Sequence, residues 1–157
     1  MRKTGTLLVL LLAITTACKK DIPQGFWIKG NEKEQLKTIE TQFRGFDKTM
    51  VEVGYRYTEL YWSGQDQNWD YAKYQLQKID KSIRLGLQRR SKRAKSATHF
   101  LTYVIPEMNK AIKSKDTAKF NKSFGMLRSN CISCHAMEKK PSFVIQIPTN
   151  RLSPIGI

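Results

Sequence analysis

Cysteine is scarce in this chain, with three in 157 residues, at positions 18, 131 and 134. That count excludes the framework of several disulfides that staples many small exported domains. Histidine is scarcer still, with two. Five prolines and nine glycines are too few for a collagen-like or linker-like chain. No apolar run reaches the roughly 18 to 20 residues that a membrane-spanning helix needs. Acidic residues are the last shortage: 13 Asp and Glu stand against 28 Lys and Arg, a formal charge of +15. In a cytosolic protein such a balance would make nucleic acid the first partner to consider. The remainder is ordinary globular material, 40% hydrophobic and 26% charged, long enough for one well-buried domain and short for two.

The N-terminus redirects the reading of that charge. Arg2 and Lys3 precede an apolar run from Leu7 to Ile14, which passes through Thr15, Thr16 and Ala17 into Cys18. This is the pattern of an export signal. Small residues directly before a Cys resemble the cleavage box of bacterial lipoproteins, in which that Cys becomes the lipidated first residue. Thr15 stands where the box usually has Leu, and an ordinary secretory signal cut nearby is the alternative. Both readings put the mature protein outside the cytoplasm. The expectation is a signal peptide over residues 1–17, a lipid anchor at Cys18, and a periplasmic, membrane-attached protein. Lys19 in place of an Asp after Cys18 favours the outer membrane over the inner. In that compartment a basic protein meets anionic headgroups or an acidic protein partner, and no nucleic acid.

The remaining two cysteines belong to Cys131-Ile132-Ser133-Cys134-His135. C-x-x-C-H is the attachment sequence of c-type haem, in which two thiols add to the porphyrin vinyl groups and the imidazole becomes an axial iron ligand. Positions i, i+3 and i+4 share one face of a helix, so both sulfurs and the imidazole can meet a single flat macrocycle. A redox C-x-x-C would open a helix in a thioredoxin-like βαβ setting, which the sequence lacks. A zinc site would need a fourth ligand, and His99 is the only other imidazole. Export supplies the compartment in which c haems are attached, so one covalently bound haem c is the expected cofactor.

The rest of the chain is helical in period. Residues 18–31, with Pro23, Gly25 and Gly30, read as a tether on which Phe26 and Trp27 are available for docking. From Asn31 to Ser63 the positions Leu36, Ile39, Phe43, Phe46, Met50, Val53, Tyr57 and Leu60 alternate at spacings of three and four, the stripe of one packed helix. Asn31 can cap it and Gly64 can end it. A second stripe, Trp69, Ala72, Leu76, Ile79, Ile83 and Leu87, starts from Asp66 or Asn68. A third, Ala97, Leu101, Val104, Met108 and Ile112, is interrupted by Pro106, where a kink is expected. The fourth runs Phe120, Phe124, Leu127, Cys131 and Cys134, opened by Asp116 or Thr117 and stopped by Pro141. Four helices joined by short turns predict an all-α, antiparallel up-down-up-down bundle over residues 32–138. Residues 139–157, with alternating Phe143, Ile145 and Ile147, read as an extended arm that covers an edge of the bundle.

In this layout the chain resembles the class II cytochromes c, the cytochrome c′ family and its Met-ligated relatives. Those are four-helix bundles with C-x-x-C-H near the end of the last helix, where Cys131, Cys134 and His135 stand here. The resemblance covers residues 32–138 in architecture; the long arm after His135 and the stretch Tyr55, Tyr57, Tyr61, Trp62 depart from it. It implies a haem protein rather than an enzyme, and a homodimer as the oligomer to test for.

Counting levels locates the pocket. His135 lies about nineteen residues beyond the turn at Asp116, roughly 28 Å at 1.5 Å per residue. The same height on the other helices falls at Gly45 and Phe46, Leu85 and Gly86, and Ser96 and Ala97. Met126 and Met137 share the helix of His135, Met108 lies too far from that level, and His99 faces nearly away. Met50 is left as the candidate sixth ligand, with Phe43 and Phe46 beside it as the distal wall. The alternative is that Met50 fills space and iron stays five-coordinate. Arg89, Arg90, Lys92, Arg93 and Lys95 form a basic turn at that end, suited to haem propionates or an acidic partner, and Arg44 and Arg56 are further propionate candidates. The expected function is one-electron transfer, with NO or CO binding at a five-coordinate iron as the alternative.

Overall fold

Three helices of this chain start from a side-chain cap, at Asn31, Asn68 and Asp116. The computed structural model describes residues 22–151 and 154–155, so the export signal and Cys18 lie outside the described residues. Among these residues every regular element is helical and there is no strand. The chain divides into two units, one ending at Phe43 and the other beginning at Arg44.

The first unit holds one helix, α1 (Glu32–Gln42). Asn31 caps it with a full capping box: its side chain accepts from the Glu34 N–H while the Glu34 carboxylate accepts from the Asn31 N–H. The segment before it is folded locally. The Gln24 side-chain carbonyl accepts from Gly30 N–H at 2.8 Å, and the Gln35 amide donates to the Pro23 carbonyl at 2.8 Å. Leu36, Ile39, Phe26 and Trp27 are all exposed, and α1 buries none of its residues.

The second unit begins with α2 (Phe46–Gln65), so the single helix expected over residues 31–63 is in fact two. Arg44 breaks it, sitting in the left-handed region at φ 57°, and Gly45 takes an extended backbone at the N-cap of α2. Glycine is a poor helix interior residue and an acceptable N-cap, and Asp47 in the first turn holds Arg44 at 2.6 Å. The other end also differs from expectation. Gly64 lies inside α2, and the helix ends at the next residue, Gln65, with Gln67 left-handed at φ 55°.

Helix α3 (Trp69–Arg89) starts from Asn68, whose side chain accepts from the Tyr71 N–H. A 3-10 turn (Ser91–Arg93) leads into α4 (Ala94–His99), a π segment (Phe100–Val104) and α5 (Ile105–Lys113), which are continuous in helical backbone. Pro106 has no N–H to return to the preceding turn, and that turn widens so that Ile105 N–H reaches the Phe100 carbonyl. The interruption expected at Pro106 thus takes the form of a π turn, which brings Phe100 into the core beside Leu101. Helix α6 (Thr117–Met137) is capped by Asp116, which accepts from Lys119 N–H at 3.0 Å.

The four rods of this unit bury the predicted stripes. Val53, Tyr57 and Leu60 of α2, Ala72, Leu76, Ile79 and Ile83 of α3, Ala97, Leu101, Val104, Met108 and Ile112 of the third rod, and Phe120, Phe124 and Leu127 of α6 form one core. Helix α3 lies along α2 and against α5, while α6 packs on α5, the π segment, α2 and α4. At one end Thr49 accepts from Arg89 at 3.0 Å, and the Arg93–Glu138 ion pair joins the turn after α3 to the end of α6. At the other end Gln65 donates to Asn121 at 2.8 Å, and Trp69 meets Phe120 edge to face with centroids 5.9 Å apart.

Candidate functional site

The sequence at the end of α6 dictates a particular chain reversal. Lys139 is left-handed at φ 59°, Lys140 N–H donates to the His135 carbonyl at 2.8 Å and Lys139 N–H to the Ala136 carbonyl at 3.0 Å. This is a Schellman closure of the helix. Pro141 then occupies the second position of a turn closed by Phe143 N–H on the Lys140 carbonyl at 3.0 Å. The turn sends the chain back over the last turn of α6. There the Phe143 carbonyl lies 2.7 Å from Nδ1 of His135, and the Phe143 ring meets the imidazole edge to face at 6.0 Å between centroids. A carbonyl only accepts, so Nδ1 carries the proton in this contact, and Nε2 is the ring nitrogen not used by it.

Cys131, Cys134 and His135 are all half-buried, and both thiols are free. Cys131 packs against the core, close enough to Tyr57 that, after burial, it helps to raise the Tyr57 hydroxyl above its ordinary value. Burial, reinforced by the neighbouring Cys134, pushes the Cys131 thiol up to about 12. A thiol held protonated in this way is a poor thiolate nucleophile, which weighs against a disulfide-exchange role for the pair. It also yields a pH prediction for the haem-free chain. The folded thiol holds its proton more tightly than the unfolded one, so its contribution to stability is complete below an unfolded pKa of about 8.5 and is lost as pH rises through the folded value. Urea midpoints should fall more steeply above pH 9 than in Cys131→Ser, and alkylation of Cys131 at pH 8 should be slower than in the denatured chain.

The donor set fits a c-type haem: two thiols and an imidazole on one helical face, with the second ring nitrogen already held by a backbone carbonyl, the usual support of a metal-ligating histidine. The fit lies in that chemistry and not in a preformed slot. Two clefts lie elsewhere, one of about 270 Å³ between α2 and α3 and one of about 400 Å³ between Tyr57, Thr58 and the arm. Neither is lined by Cys131, Cys134 or His135. Among the described residues no three His, Cys, Asp or Glu side chains gather as a metal-ion site.

The other sequence candidates fall out as follows. Phe46 and Met50 are half-buried against the core at the start of α2, and Phe46 and Thr49 crowd the spot where a Gly86 Cβ would stand, at 2.9 and 2.5 Å. Phe43 is exposed and belongs to the first unit, and Phe46 and Met50 belong to the second. Met108 is fully buried in the core, and His99 is exposed and stacked on Tyr103 at 5.2 Å. In the basic turn Arg93 is paired with Glu138 and Arg89 bonds Thr49, which leaves Lys92 and Lys95 among the exposed cations. Arg44 is engaged by Asp47, and Arg56 by Glu52 and Gln75.

Three participants are visible only in the structure: the Phe143 carbonyl, Glu138 and Ser96, whose hydroxyl donates to Glu138. The sequence signal for the first was present in Pro141, which forces a turn just after the helix, but nothing local tells which carbonyl that turn delivers to the imidazole. No protein-family model, curated protein or solved structure matches this chain.

Proposed function

We propose that this protein is an exported haem c protein that transfers single electrons, in an antiparallel up-down-up-down four-helix bundle. The observation that carries this reading is the half-buried Cys131, Cys134 and His135 set on one face of α6, with Nδ1 of His135 held by the Phe143 carbonyl. The antiparallel arrangement is supported by the paired ends, Thr49 with Arg89 and Gln65 with Asn121. When bound, the haem supplies one-electron chemistry at iron. Cys131 and Cys134 would anchor it covalently, and Nε2 of His135 would hold the iron. Phe46 and Met50, half-buried on the first rod, are the proposed distal candidates. Cys18 is the proposed lipid anchor that keeps the domain at the membrane on the periplasmic side, the outer membrane being favoured. Among the described residues no helix is long and apolar enough to cross a membrane.

Lys92 and Lys95 present charge suited to an acidic redox partner, and a homodimer is the oligomer proposed for it. Electron-transfer rates with an acidic partner protein should fall as salt rises, because exposed charges are screened over about 8 to 10 Å near physiological ionic strength. A rate that stays flat with salt would count against that docking role.

The second reading is binding of NO or CO at a five-coordinate iron. Met50 favours it by packing into the apolar core on the first rod. Full-length protein made in a host that matures c-type haem should gain the mass of one haem and show a c-type absorption spectrum. Prompt CO uptake by the untreated reduced protein selects the ligand-binding reading, and resistance to CO selects electron transfer with Met50 bonded. Bare polypeptide from that host would overturn both.

A further inference from the structure

The long segment after α6 has no part in the attachment motif, yet it is fastened along the second unit from one end to the other. Arg128 of α6 donates Nε to the Ile145 carbonyl at 2.7 Å, and the Tyr57 hydroxyl of α2 donates to the Gln146 carbonyl at 3.0 Å. Further on, the Trp62 indole donates to the Asn150 carbonyl at 3.3 Å. Arg151 lies over the Trp62 ring, its guanidinium 5.1 Å from the centroid, and pairs with Asp66 at 2.5 Å. Four carbonyls of this segment, those of Phe143, Ile145, Gln146 and Asn150, therefore meet side-chain donors in place of strand partners. The first anchored carbonyl, that of Phe143, is the one that meets the His135 imidazole.

We propose that this C-terminal arm is a positioning strap for the imidazole of His135. The proposal rests on the haem reading above. A single hydrogen bond at the end of a helix would not hold a half-buried ring in one orientation by itself. Two residues further along, Ile145 is locked to Arg128, and from Gln146 to Arg151 the arm is tied to α2, so the Phe143 carbonyl has little freedom to move away. The held Nδ1 proton fixes the tautomer, leaves Nε2 as the metal-facing nitrogen and makes the imidazole a stronger donor. A stronger donor favours oxidised iron, so the arm lowers the reduction potential.

The test uses full-length protein matured with haem in four forms: wild type, Arg128→Met, Arg128→Lys, and a chain ending at Lys140. Mass spectrometry reads haem attachment. Redox titration reads the potential, and NMR of the reduced, diamagnetic form reads exchange of the His135 Nδ1 proton with solvent, with CO added where iron is five-coordinate. In the expected result all four carry haem. Arg128→Met and the shortened chain then move the reduced-to-oxidised ratio toward reduced by about tenfold at fixed potential, about 59 mV for one electron. Their Nδ1 proton exchanges fast, and Arg128→Lys restores slow exchange. Haem-loaded variants with the wild-type potential and a slowly exchanging Nδ1 proton would overturn the strap and leave the haem reading standing. Wild type recovered without haem would overturn that reading and the strap with it. If the shortened chain fails to fold, the Arg128 pair decides.

Discussion

Replacing Gly64 by alanine should lower the unfolding free energy by about 3 kcal/mol, at the upper end of what overpacking a core costs. An ideal Cβ on Gly64 would stand 2.0 Å from Cε1 and 2.1 Å from Cζ of Phe120. The ring has no room to retreat. Phe120 is fully buried, stacked on Phe124 at 6.0 Å between centroids and met edge to face by Trp69 at 5.9 Å. Either the ring leaves its rotamer or α2 and α6 separate, and both disturb the end of the core. The same substitution at Gly54, in the same helix, is the control. Its Cβ would meet nothing within 4 Å, so the helix preference for alanine should stabilise by up to about 1 kcal/mol. Urea unfolding of the two variants should therefore move in opposite directions. Equal destabilisation by both would refute the close approach of α2 to Phe120.

Changing both Cys131 and Cys134 to serine should abolish covalent haem attachment while leaving the helical fold in place. The two sulfurs are the only thiols among the described residues, and a serine hydroxyl does not form the thioether. Cys131→Ser or Cys134→Ser alone should retain one linkage, with a shifted reduced spectrum and lower yield of loaded protein. Far-ultraviolet circular dichroism and the mass of each variant after maturation check this together. Covalent haem persisting in the double variant would show that attachment lies elsewhere in the chain and remove the basis of the proposed function.

The core was readable because its signal is periodic. Each of the stripes from Trp69 to Leu87, from Ala97 to Ile112 and from Phe120 to Leu127 turns the same face inward as its spacing of three and four demands. Three features escape the periodic signal, all for reasons of local energy against tertiary space. The break at Arg44 and Gly45 interrupts a stripe that continues in phase on both sides, so periodicity gives no warning of it. Gly64 looked like a helix stop and is a helix interior residue whose missing side chain admits the Phe120 ring. Phe43 carries the right spacing to accompany Phe46 and Met50, yet the break puts it in the other unit.

Composition and order along the chain by themselves determined that the regular elements of this protein are helical, which faces of the four rods of the second unit turn inward, and that two thiols and an imidazole stand at i, i+3 and i+4. Those are properties of neighbours within a few residues, governed by helix geometry and burial. Only the tertiary structure decided that Phe120 fills the space beside Gly64 and that Glu138 ties α6 to Arg93 and Ser96. It also decided that a carbonyl from the arm holds the ring of His135. Each of these joins groups from separate elements or across a chain reversal, and their meeting is set by how rods and arm settle against one another, which no local pattern encodes.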